Sequence, residues 1–465
     1  MKYVFYFLIV VVVGSIASCK KTSVITSPDA SIAFSEDTLH FDTVFTTTGS
    51  VTQLVKIFNQ NEQRLRLSTV SLMGGETSPF KINVDGVPGT NFSNIELEAN
   101  DSIYVFVTVT INPAASNLPF IVQDSISVQY NGNQQFIQLE AFGQNANFLR
   151  GVRVTQDTMW RSDLPFVILD SISVDVGATL NIDSGCRIYA HANAPFLVNG
   201  SLKVFGDSTA RVLFAGDRLD PGYRELPGSW PGIFFTPSST DNVLNYVTIR
   251  NAYQGIITGG GAGTAPKITL NQCIIDNIYD AGILSFASSI KATNCQISNC
   301  GTNVYISSGG NYSFDHCTVA TYGSFFIQHK NPVVFITDEN ELGVPSPLTL
   351  NFNNSILWGE GGTVDDEVVV RQKGNGADFN VNFTSVLFKN KSATADAFFD
   401  NNSLKNEPPQ FAEIDGSKEV YDFRLSNISP AIDAANTNTT TTIDLDGKPR
   451  PVGSAADLGC YEYQP

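Results

Sequence analysis

Cysteine recurs every 22 residues in three short segments of matching pattern: Leu270-Asn271-Gln272-Cys273-Ile274-Ile275, Ala292-Thr293-Asn294-Cys295-Gln296-Ile297 and Phe314-Asp315-His316-Cys317-Thr318-Val319. Apolar residues alternate with polar ones in these segments, which is typical of β-strands with one buried face. A fixed repeat of this length is typical of a solenoid, whose coils pack only on their neighbours. The repeat therefore predicts stacked coils in which Cys273, Cys295 and Cys317 form one inward column.

The composition indicates a nearly all-β protein. The chain has 465 residues, 42% of them apolar and only 16% charged, and no long segment has helical periodicity. This length provides material for two domains. The net charge of −17 and the scattered distribution of 28 Lys and Arg residues argue against nucleic-acid binding. The same charge disfavours unaided binding of polyanionic sugars.

Glycine-punctuated β segments extend over residues 154–422. Examples are Ile172-Ser173-Val174-Asp175-Val176-Gly177, Phe196-Leu197-Val198-Asn199-Gly200 and Val243-Leu244-Asn245-Tyr246-Val247. Together they resemble the right-handed parallel β-helix of the pectin-lyase-like superfamily. The predicted cysteine column takes in these positions: Tyr246, Cys273, Cys295, Cys317, Ser355 and Val386. Residues in excess of 22 must leave as loops, the largest between Phe335 and Leu348.

The first 19 residues read as an export signal. Lys2 precedes an apolar stretch, and Ile16-Ala17-Ser18-Cys19 resembles a bacterial lipobox, which implies that Cys19 carries lipid. Lys20 resembles the residue found there in lipoproteins sent to the outer membrane, whose periplasmic or surface face the sequence leaves open. An ordinary signal peptide is the alternative. Residues 20–30 are predicted to be a flexible tether.

Residues 31–147 contain about seven short alternating runs of the kind that build a β-sandwich. Phe41-Asp42-Thr43-Val44, Phe58-Asn59-Gln60-Asn61, Asn112-Pro113 and Leu139-Glu140-Ala141-Phe142-Gly143 resemble the immunoglobulin-like modules of the ASPM/SPD-2/Hydin type. The resemblance implies a spacer or a binding platform. No catalytic cluster is visible in this stretch.

The C-terminal residues 423–465 resemble the choice-of-anchor Q domain. The resemblance rests on Ser429-Pro430-Ala431-Ile432-Asp433, Asp444-Leu445-Asp446-Gly447 and Asp457-Leu458-Gly459-Cys460. We expect this segment to cover the open last coil, whose strand edge would otherwise recruit other chains. Asp444, Asp446 and Asp457 are candidate Ca²⁺ ligands, although an Asp-x-Asp-Gly alone is a weak signature.

If Cys19 carries lipid, six other cysteines remain: Cys186, Cys273, Cys295, Cys300, Cys317 and Cys460. An exported location permits disulfides. Side chains stacked in parallel point the same way, however, so buried free thiols are the main expectation.

Catalytic candidates fall mainly in loops, since no carboxylate pair lines up on the regular coils. They are the acidic loop Asp338, Glu339 and Glu341, the run Asp365, Asp366 and Glu367 with Arg371, and the histidines His316 and His329. Carboxylates with an arginine can protonate a glycosidic oxygen or hold Ca²⁺, but acidic loop tips are commonly only solvated. His316 lies in a polar column with Gln272 and Asn294, for which a ladder of turn residues is the main alternative. Trp358 is a candidate for sugar stacking, or part of a wall.

The leading functional prediction is a cell-envelope lipoprotein that binds glycan or another surface ligand along the β-helix without catalysis. A polysaccharide lyase or glycoside hydrolase of the pectin-lyase fold is the main alternative, and a structural spacer is the third. No cofactor is predicted apart from Ca²⁺ as an option, and the membrane is contacted only through lipid. Binding predicts exposed aromatic side chains beside a groove. Catalysis requires acids, or an acid with Arg or Lys, in one groove.

Overall fold

The computed structural model describes residues 23–45, 49–112, 120–220, 222–261, 263, 265–374, 378–436 and 441–465. Cys19 lies outside these residues. The chain divides into two compact units, Met1–Asn145 and Ala146–Pro465. Within the described ranges, no helix has the length and apolar character needed to span a bilayer.

The first unit is built from short strands. Its described residues form one 3-10 helix (Gly75–Thr77) and the strands β1 (Val24–Ile25), β2 (Ile32–Phe34), β3 (Thr38–Phe45), β4 (Gln53–Asn59), β5 (Arg64–Leu72), β6 (Phe80–Val84), β7 (Val87–Gly89), β8 (Asn91–Leu97), β9 (Ser102–Val109), β10 (Phe120–Tyr130) and β11 (Asn133–Gln144). One sheet has the order β1-β5-β10-β11-β3, with β8 also paired to β5, and the other has the order β2-β4-β9-β6-β7. Both sheets contribute to one core, because alternate residues of β5 (Leu65 and Leu67) and of β9 (Val105 and Val107) are fully buried in the same cluster.

The predicted tether is partly ordered. Val24 and Ile25 form β1, which pairs in parallel with Arg64 and Leu65 of β5. Asn131 Nδ2 donates hydrogen bonds to the carbonyl oxygens of Ile25 and Ser27 at 3.0 Å each. Apolar side chains and satisfied carbonyls hold this stretch on the first unit, so the prediction of a free tether over residues 20–30 is wrong for these residues.

The second unit contains thirty strands among its described residues. They are β12 (Asn147–Leu149), β13 (Val152–Val154), β14 (Thr158–Trp160), β15 (Phe166–Ile168), β16 (Ile172–Val174), β17 (Thr179–Asp183), β18 (Arg187–Ala190), β19 (Phe196–Val198), β20 (Ser201–Phe205), β21 (Val212–Gly216), β22 (Ile233–Phe235), β23 (Asn242–Asn245), β24 (Val247–Arg250), β25 (Ile256–Gly259), β26 (Ile268–Asn271), β27 (Ile274–Asp276), β28 (Ala281–Thr293), β29 (Gln296–Ser298), β30 (Thr302–Asp315), β31 (Thr318–Tyr322), β32 (Val334–Thr337), β33 (Leu348–Asn353), β34 (Ile356–Glu360), β35 (Val368–Arg371), β36 (Phe379–Thr384), β37 (Leu387–Phe388), β38 (Phe398–Phe399), β39 (Leu404–Lys405), β40 (Phe411–Asp415) and β41 (Val420–Leu425).

All strands from β12 to β39 pair in parallel with a strand of a neighbouring coil, in three stacks. Stack A is the sheet β12-β15-β18-β21-β24-β27-β29-β31-β34-β37-β39. Stack B runs through β13, β16, β19, β22, β25, the first parts of β28 and β30, β32 and β35. Stack C runs through β14, β17, β20, β23, β26, the last parts of β28 and β30, β33, β36 and β38. The structure thus confirms an all-β chain with large parallel sheets in a solenoid-like arrangement.

The cysteine column lies at the start of stack A. The pairs Ile274↔Gln296, Gln296↔Thr318, Thr318↔Ile356 and Ile356↔Leu387 place Cys273, Cys295, Cys317, Ser355 and Val386 at equivalent positions. The coil before departs from the prediction by one residue. Thr248 pairs with Ile274, so the buried Val247 continues the column, and the prediction of Tyr246 is wrong.

Tyr246 belongs instead to a column of left-handed turn residues between stacks C and A. Its φ is 47°, and the same conformation recurs at Gln272 (51°), Asn294 (50°), His316 (49°), Asn354 (49°) and Ser385 (50°). Asn is among the residues that tolerate positive φ best, because its short polar side chain bonds locally. The ladder of turn residues is therefore present in the structure, and His316 is one of its members.

All six cysteines of the described residues are free and buried. The thiol hydrogens point to carbonyls of neighbouring strands, as from Cys273 Sγ to Leu244 O at 3.3 Å. Burial raises the pKa of Cys273 and Cys295 well above the ordinary thiol value. These thiols therefore behave as small apolar core residues.

The solenoid begins and ends earlier than predicted. Strand β12 already pairs with β15, so the stacks start at Asn147 and not at Val154. At the other end, β40 and β41 form an antiparallel hairpin, and the predicted boundary at residue 422 falls inside β41. The chain leaves the stacks at Pro408 and Pro409, which have no N–H to donate to a parallel ladder.

Residues 411–465 are here called the C-terminal segment, and its described residues, 411–436 and 441–465, pack along the outer side of stack A. Apolar outward residues of the stack pack into clusters with this segment: Ile274, Ala320, Ile356, Trp358 and Leu387. The hydrogen bonds run to several coils, from Tyr461 Oη to Gln296 Oε1 (2.8 Å) and from the Gly459 N–H to Asn354 O (2.8 Å). We predicted a cover over the open last coil, and these contacts lie along the side instead. The physical reason is that outward residues of stack A such as Ile356, Trp358 and Leu387 are apolar and are buried by this packing.

Candidate functional site

The outer faces of the three stacks differ in polarity. Stack C presents polar residues in register, such as Asn245, Asn271, Thr293 and Asp315. Stack B presents a continuous apolar column, consisting of Leu197, Phe234, Ile257, Leu284, Tyr305, Phe335 and Val369. All seven side chains are half-buried, whereas their neighbours along each strand lie in the core. Stack B therefore carries an apolar stripe that follows the axis of stacking.

A groove of about 650 Å³ lies over this stripe at strands β28, β30, β32 and β35. Leu284, Phe286, Tyr305 and Phe335 line it. The rings of Tyr305 and Phe335 are stacked at 5.1 Å with an angle of 13°. The ring of Phe286 lies 6.5 Å from that of Tyr305, is tilted by 55° against it, and stands two residues out of register. Rings one coil apart thus form a short aromatic ladder, the kind of surface on which the apolar face of a sugar packs.

Charged groups flank this ladder on both sides. Asp280 and Thr302 line the side toward stack A, and Glu339, Asn340 and Glu341 line the side toward stack C. Asp280 Oδ2 accepts a hydrogen bond from Gln254 Nε2 at 2.7 Å, and the Lys373 ammonium lies 3.6 Å from Glu339. The guanidinium of Arg371 lies 5.2 Å from the ring centre of Phe335. The groove therefore combines an apolar base with donors and acceptors for hydroxyl groups.

Asp338 anchors the acidic loop and does not line this groove. It is 3% exposed, and its carboxylate accepts hydrogen bonds from the N–H groups of Lys373 (2.7 Å) and Gly374 (3.1 Å). These bonds tie the loop to the next coil. Of the three predicted loop acids, Glu339 and Glu341 line the groove, and Glu341 is exposed.

Two predicted residues, His316 and Trp358, lie beneath the C-terminal segment. His316 is fully buried, and its Nδ1 lies 3.1 Å from the carbonyl oxygen of Asp457. Burial, with a smaller effect of the nearby Arg450, lowers the pKa of His316 to about 3. Trp358 is 2% exposed and donates from Nε1 to Glu360 Oε1 at 3.0 Å. Neither side chain can reach a ligand on the surface, so the structure contradicts both proposed roles.

The remaining acidic run does not converge. Asp365 is exposed and pairs with Lys391 at 3.3 Å, while Asp366 accepts the Ser392 N–H at 2.7 Å, which lowers its pKa. Glu367 points into the core, where its Oε1 lies 2.8 Å from Nε2 of His329. The side chains of this His–Glu pair are 2% and 0% exposed, respectively, so they are out of reach of a polymer on the surface. Of this group only Arg371 lines the groove.

The three candidate Ca²⁺ ligands are each used by the protein itself. Asp444 accepts the N–H groups of Asp446 and Lys448, and Asp446 pairs with Arg424. Asp457 accepts the N–H groups of Asp433 (2.7 Å) and Tyr463 (2.6 Å). In the part of the chain that the structure describes, no three His, Cys, Asp or Glu side chains are placed to hold a metal ion. The structure therefore does not bring these acids together as a Ca²⁺ site.

The sequence reasoning missed Asp280, Phe286 and Tyr305 as parts of a site. The sequence does contain a signal for the apolar stripe, because Leu284, Tyr305 and Phe335 each lie beside a residue of the alternating apolar pattern that marks the core. Their spacings of 21 and 30 residues depart from 22, however, since loops of different length leave the coils between them. Only the register of the strands aligns them.

Comparisons with known proteins give little guidance. No family model matches the chain, and no curated protein matches its sequence. Among solved structures, one match is described as a family 123 glycoside hydrolase from Clostridium perfringens studied for glycolipid glycan hydrolysis. It has 12% identity and a TM-score of 0.19, over 28% of this chain and 30% of that chain. A likeness this weak carries no argument.

Proposed function

We propose that this protein binds a glycan without catalysis, along the groove on stack B. The observation that supports the proposal is the aromatic ladder of Phe286, Tyr305 and Phe335, which is half-buried in an open groove with charged sides. Coils stack with a rise of about 4.8 Å, so side chains on successive coils form an apolar strip along the groove. A polymer with a repeating apolar face can pack on such a strip, while carboxylates and Arg371 bond its hydroxyl groups.

Two truncations test this proposal. In the double variant Tyr305→Ala/Phe335→Ala, binding to a glycan array should fall at least tenfold, since each ring contributes about 1 kcal/mol or more of contact. The matched control is Phe205→Ala, because Phe205 is an exposed ring (46%) on the outer face of stack C. In the unlipidated protein, Phe205→Ala should bind the glycan array as strongly as the unchanged sequence does. No hit on the array, or equal binding by the double variant, would leave a structural spacer as the better account.

A second candidate function is polysaccharide cleavage. Asp280, Glu339 and Glu341 line the same groove as Arg371, which meets the requirement for acids beside a base or electrostatic stabiliser. The test is release of reducing sugars and of unsaturated products over a polysaccharide panel, with and without Ca²⁺. Release that is lost in Glu339→Gln or Glu341→Gln would favour the enzyme, while binding without release favours the lectin-like role.

We also propose the finer assignments of fold. The three parallel stacks with a left-handed turn ladder support a right-handed β-helix of the pectin-lyase type, ending in a choice-of-anchor Q segment. The two sheets around one core support an immunoglobulin-like first module. Both are structural proposals, and an experimental structure of each unit would test the handedness and the strand order.

The cellular setting is a further proposal, supported by the lipobox pattern Ile16-Ala17-Ser18-Cys19. The protein is expected to be anchored through lipid on Cys19 in the bacterial outer membrane. Metabolic labelling with a palmitate analogue should label the unchanged protein and not Cys19→Ser. Fractionation of membranes, followed by protease treatment of intact cells, would identify the membrane and its face.

A further inference from the structure

A second, smaller cavity lies away from the stack B groove, between the outer side of stack A and the hairpin β40–β41. Its volume is about 240 Å³. Side chains from six separate parts of the chain line it, including Glu225, Arg250, Asp276, Phe326, Glu419 and Tyr421. Small-molecule pockets are typically about 300–1,000 Å³, so this corner cavity has room for about one ring and not for a polymer.

Several polar atoms in the corner cavity have no protein partner. Among the described residues, Tyr421 Oη and Arg250 Nε are buried without a hydrogen bond. The hydrogen bonds to Asp276 both fall on Oδ1, from Ser298 Oγ (2.6 Å) and Asn299 Nδ2 (3.4 Å). Asp276 is half-buried, and its Oδ2 accepts no hydrogen bond from the described residues, so this atom is open to a ligand but is not a buried unpaired group. Leaving a buried polar group unpaired is unfavourable, so atoms of this kind at one cavity indicate a partner that is not part of the protein.

The charges of the cavity narrow the class of ligand. Its two cations are engaged, because Arg250 pairs with Glu225 and Lys418 lies 2.7 Å from Asp415. The carboxylates of Asp276 and Glu419 also line the cavity, so an anionic ligand would meet uncompensated negative charge. Phe326 supplies an apolar ring at the rim, 39% exposed and in edge contact with Phe325.

We propose that the corner cavity binds one neutral sugar unit, free or at the end of a glycan. Asp276 Oδ2 accepts from hydroxyl groups, Arg250 Nε donates to one, and Tyr421 Oη bonds another. The ring of Phe326 packs against the apolar face of the sugar. This site is separate from the groove on stack B and stands independently of the proposed function.

The experiment uses saturation-transfer NMR on the unlipidated chain with five methyl glycosides, those of glucose, galactose, mannose, N-acetylglucosamine and galacturonic acid. At least one neutral glycoside should receive saturation, and the galacturonide should not. Tyr421→Phe removes only a hydroxyl that has no hydrogen-bond partner among the described residues, so the fold is retained and the Kd should rise about five- to tenfold. Asp276→Asn should raise it by more than about tenfold, because a charged acceptor is lost.

The groove double variant Tyr305→Ala/Phe335→Ala serves as the matched control and should bind the same monosaccharide with unchanged Kd. The proposal is overturned if none of the five glycosides binds, or if Tyr421→Phe and Asp276→Asn bind like the unchanged protein. Loss of monosaccharide binding in the groove variant alone would also overturn it, by assigning the ligand to stack B. Preference for the galacturonide would contradict the stated ligand class.

Discussion

Replacing His316 with Asn should change how the stability of the second unit depends on pH. Asn stands at two equivalent positions of the turn ladder, Asn294 and Asn354, with the same positive φ, so the backbone accepts it. Burial lowers the pKa of His316 to about 3 from an ordinary value of 6.5. Between these values the unfolded chain binds a proton that the folded chain does not, so the folded state loses stability as the pH falls.

The expected size follows from the width of that window. A pH of about 5 is about 1.5 units below the pKa of the imidazole in the unfolded chain. At about 1.4 kcal/mol per unit, this corresponds to a loss of about 2 kcal/mol in the free energy of unfolding. The carboxyl of Asp457 acts in the opposite sense, since burial raises its pKa to about 6. This second effect is present in both proteins and cancels in their difference.

Urea unfolding followed by tryptophan fluorescence measures this difference. All three tryptophans, Trp160, Trp230 and Trp358, lie in the second unit, and Trp358 packs beneath the C-terminal segment. The advantage of the unchanged protein over His316→Asn should fall by about 2 kcal/mol between about pH 7 and pH 5. An advantage that is the same at both pH values would refute the reasoning, because it would mean that folding does not suppress protonation of His316.

Three further predictions concern buried groups. Arg450→Met should lower the free energy of unfolding by about 3–5 kcal/mol, because it leaves the carboxylate of Glu462 (3.0 Å away, 1% exposed) buried without its cation. Hydrogen exchange should then rise in residues 441–463, and unchanged exchange would contradict this role of Arg450. The six thiols should not react with a bulky disulfide reagent in the native protein and should all react in denaturant, whereas rapid native labelling would show that the cysteine column is accessible. Burial lowers the pKa of Lys267 to about 8, so the free energy of unfolding should rise as the pH rises from about 8 to 10.5, by at most about 1.4 kcal/mol per pH unit. Urea unfolding at several pH values measures this rise, which should be absent in Lys267→Met.

The regular part of the fold was predictable because its cause is local. The 22 residues from Cys273 to Cys295, and from Cys295 to Cys317, each make up one coil. Within each strand, the alternation of apolar and polar residues determines which side chains are buried. The slip at Tyr246 shows the limit. A large aromatic residue next to Val247 fits a core pattern equally well, and only the positive φ of the turn assigns it to the ladder.

The candidate site was less predictable because its members meet through contacts distant in sequence. His316 is buried by Asp457, which lies 141 residues further along the chain. Trp358 is likewise covered by apolar residues of the C-terminal segment. Nothing in the neighbourhood of either residue signals this burial, and the sequence therefore suggested exposed catalytic or stacking roles that the structure does not support.

The path of the C-terminal segment has a consequence for how the coils find their order. Successive coils of a solenoid resemble one another, so a strand could pair one coil too early or too late at little cost in local energy. The segment breaks this equivalence, because Asn294 bonds Arg450, Thr318 bonds Cys460 and Asn354 bonds Gly459, each on a different coil. A chain shifted by one coil would lose all these bonds together. The segment thus fixes the order of the coils. It reaches as far back as Ser208, which lies against Gly447. Insertion of an extra coil should therefore be tolerated far better before Asp207 than between Cys273 and Ser355.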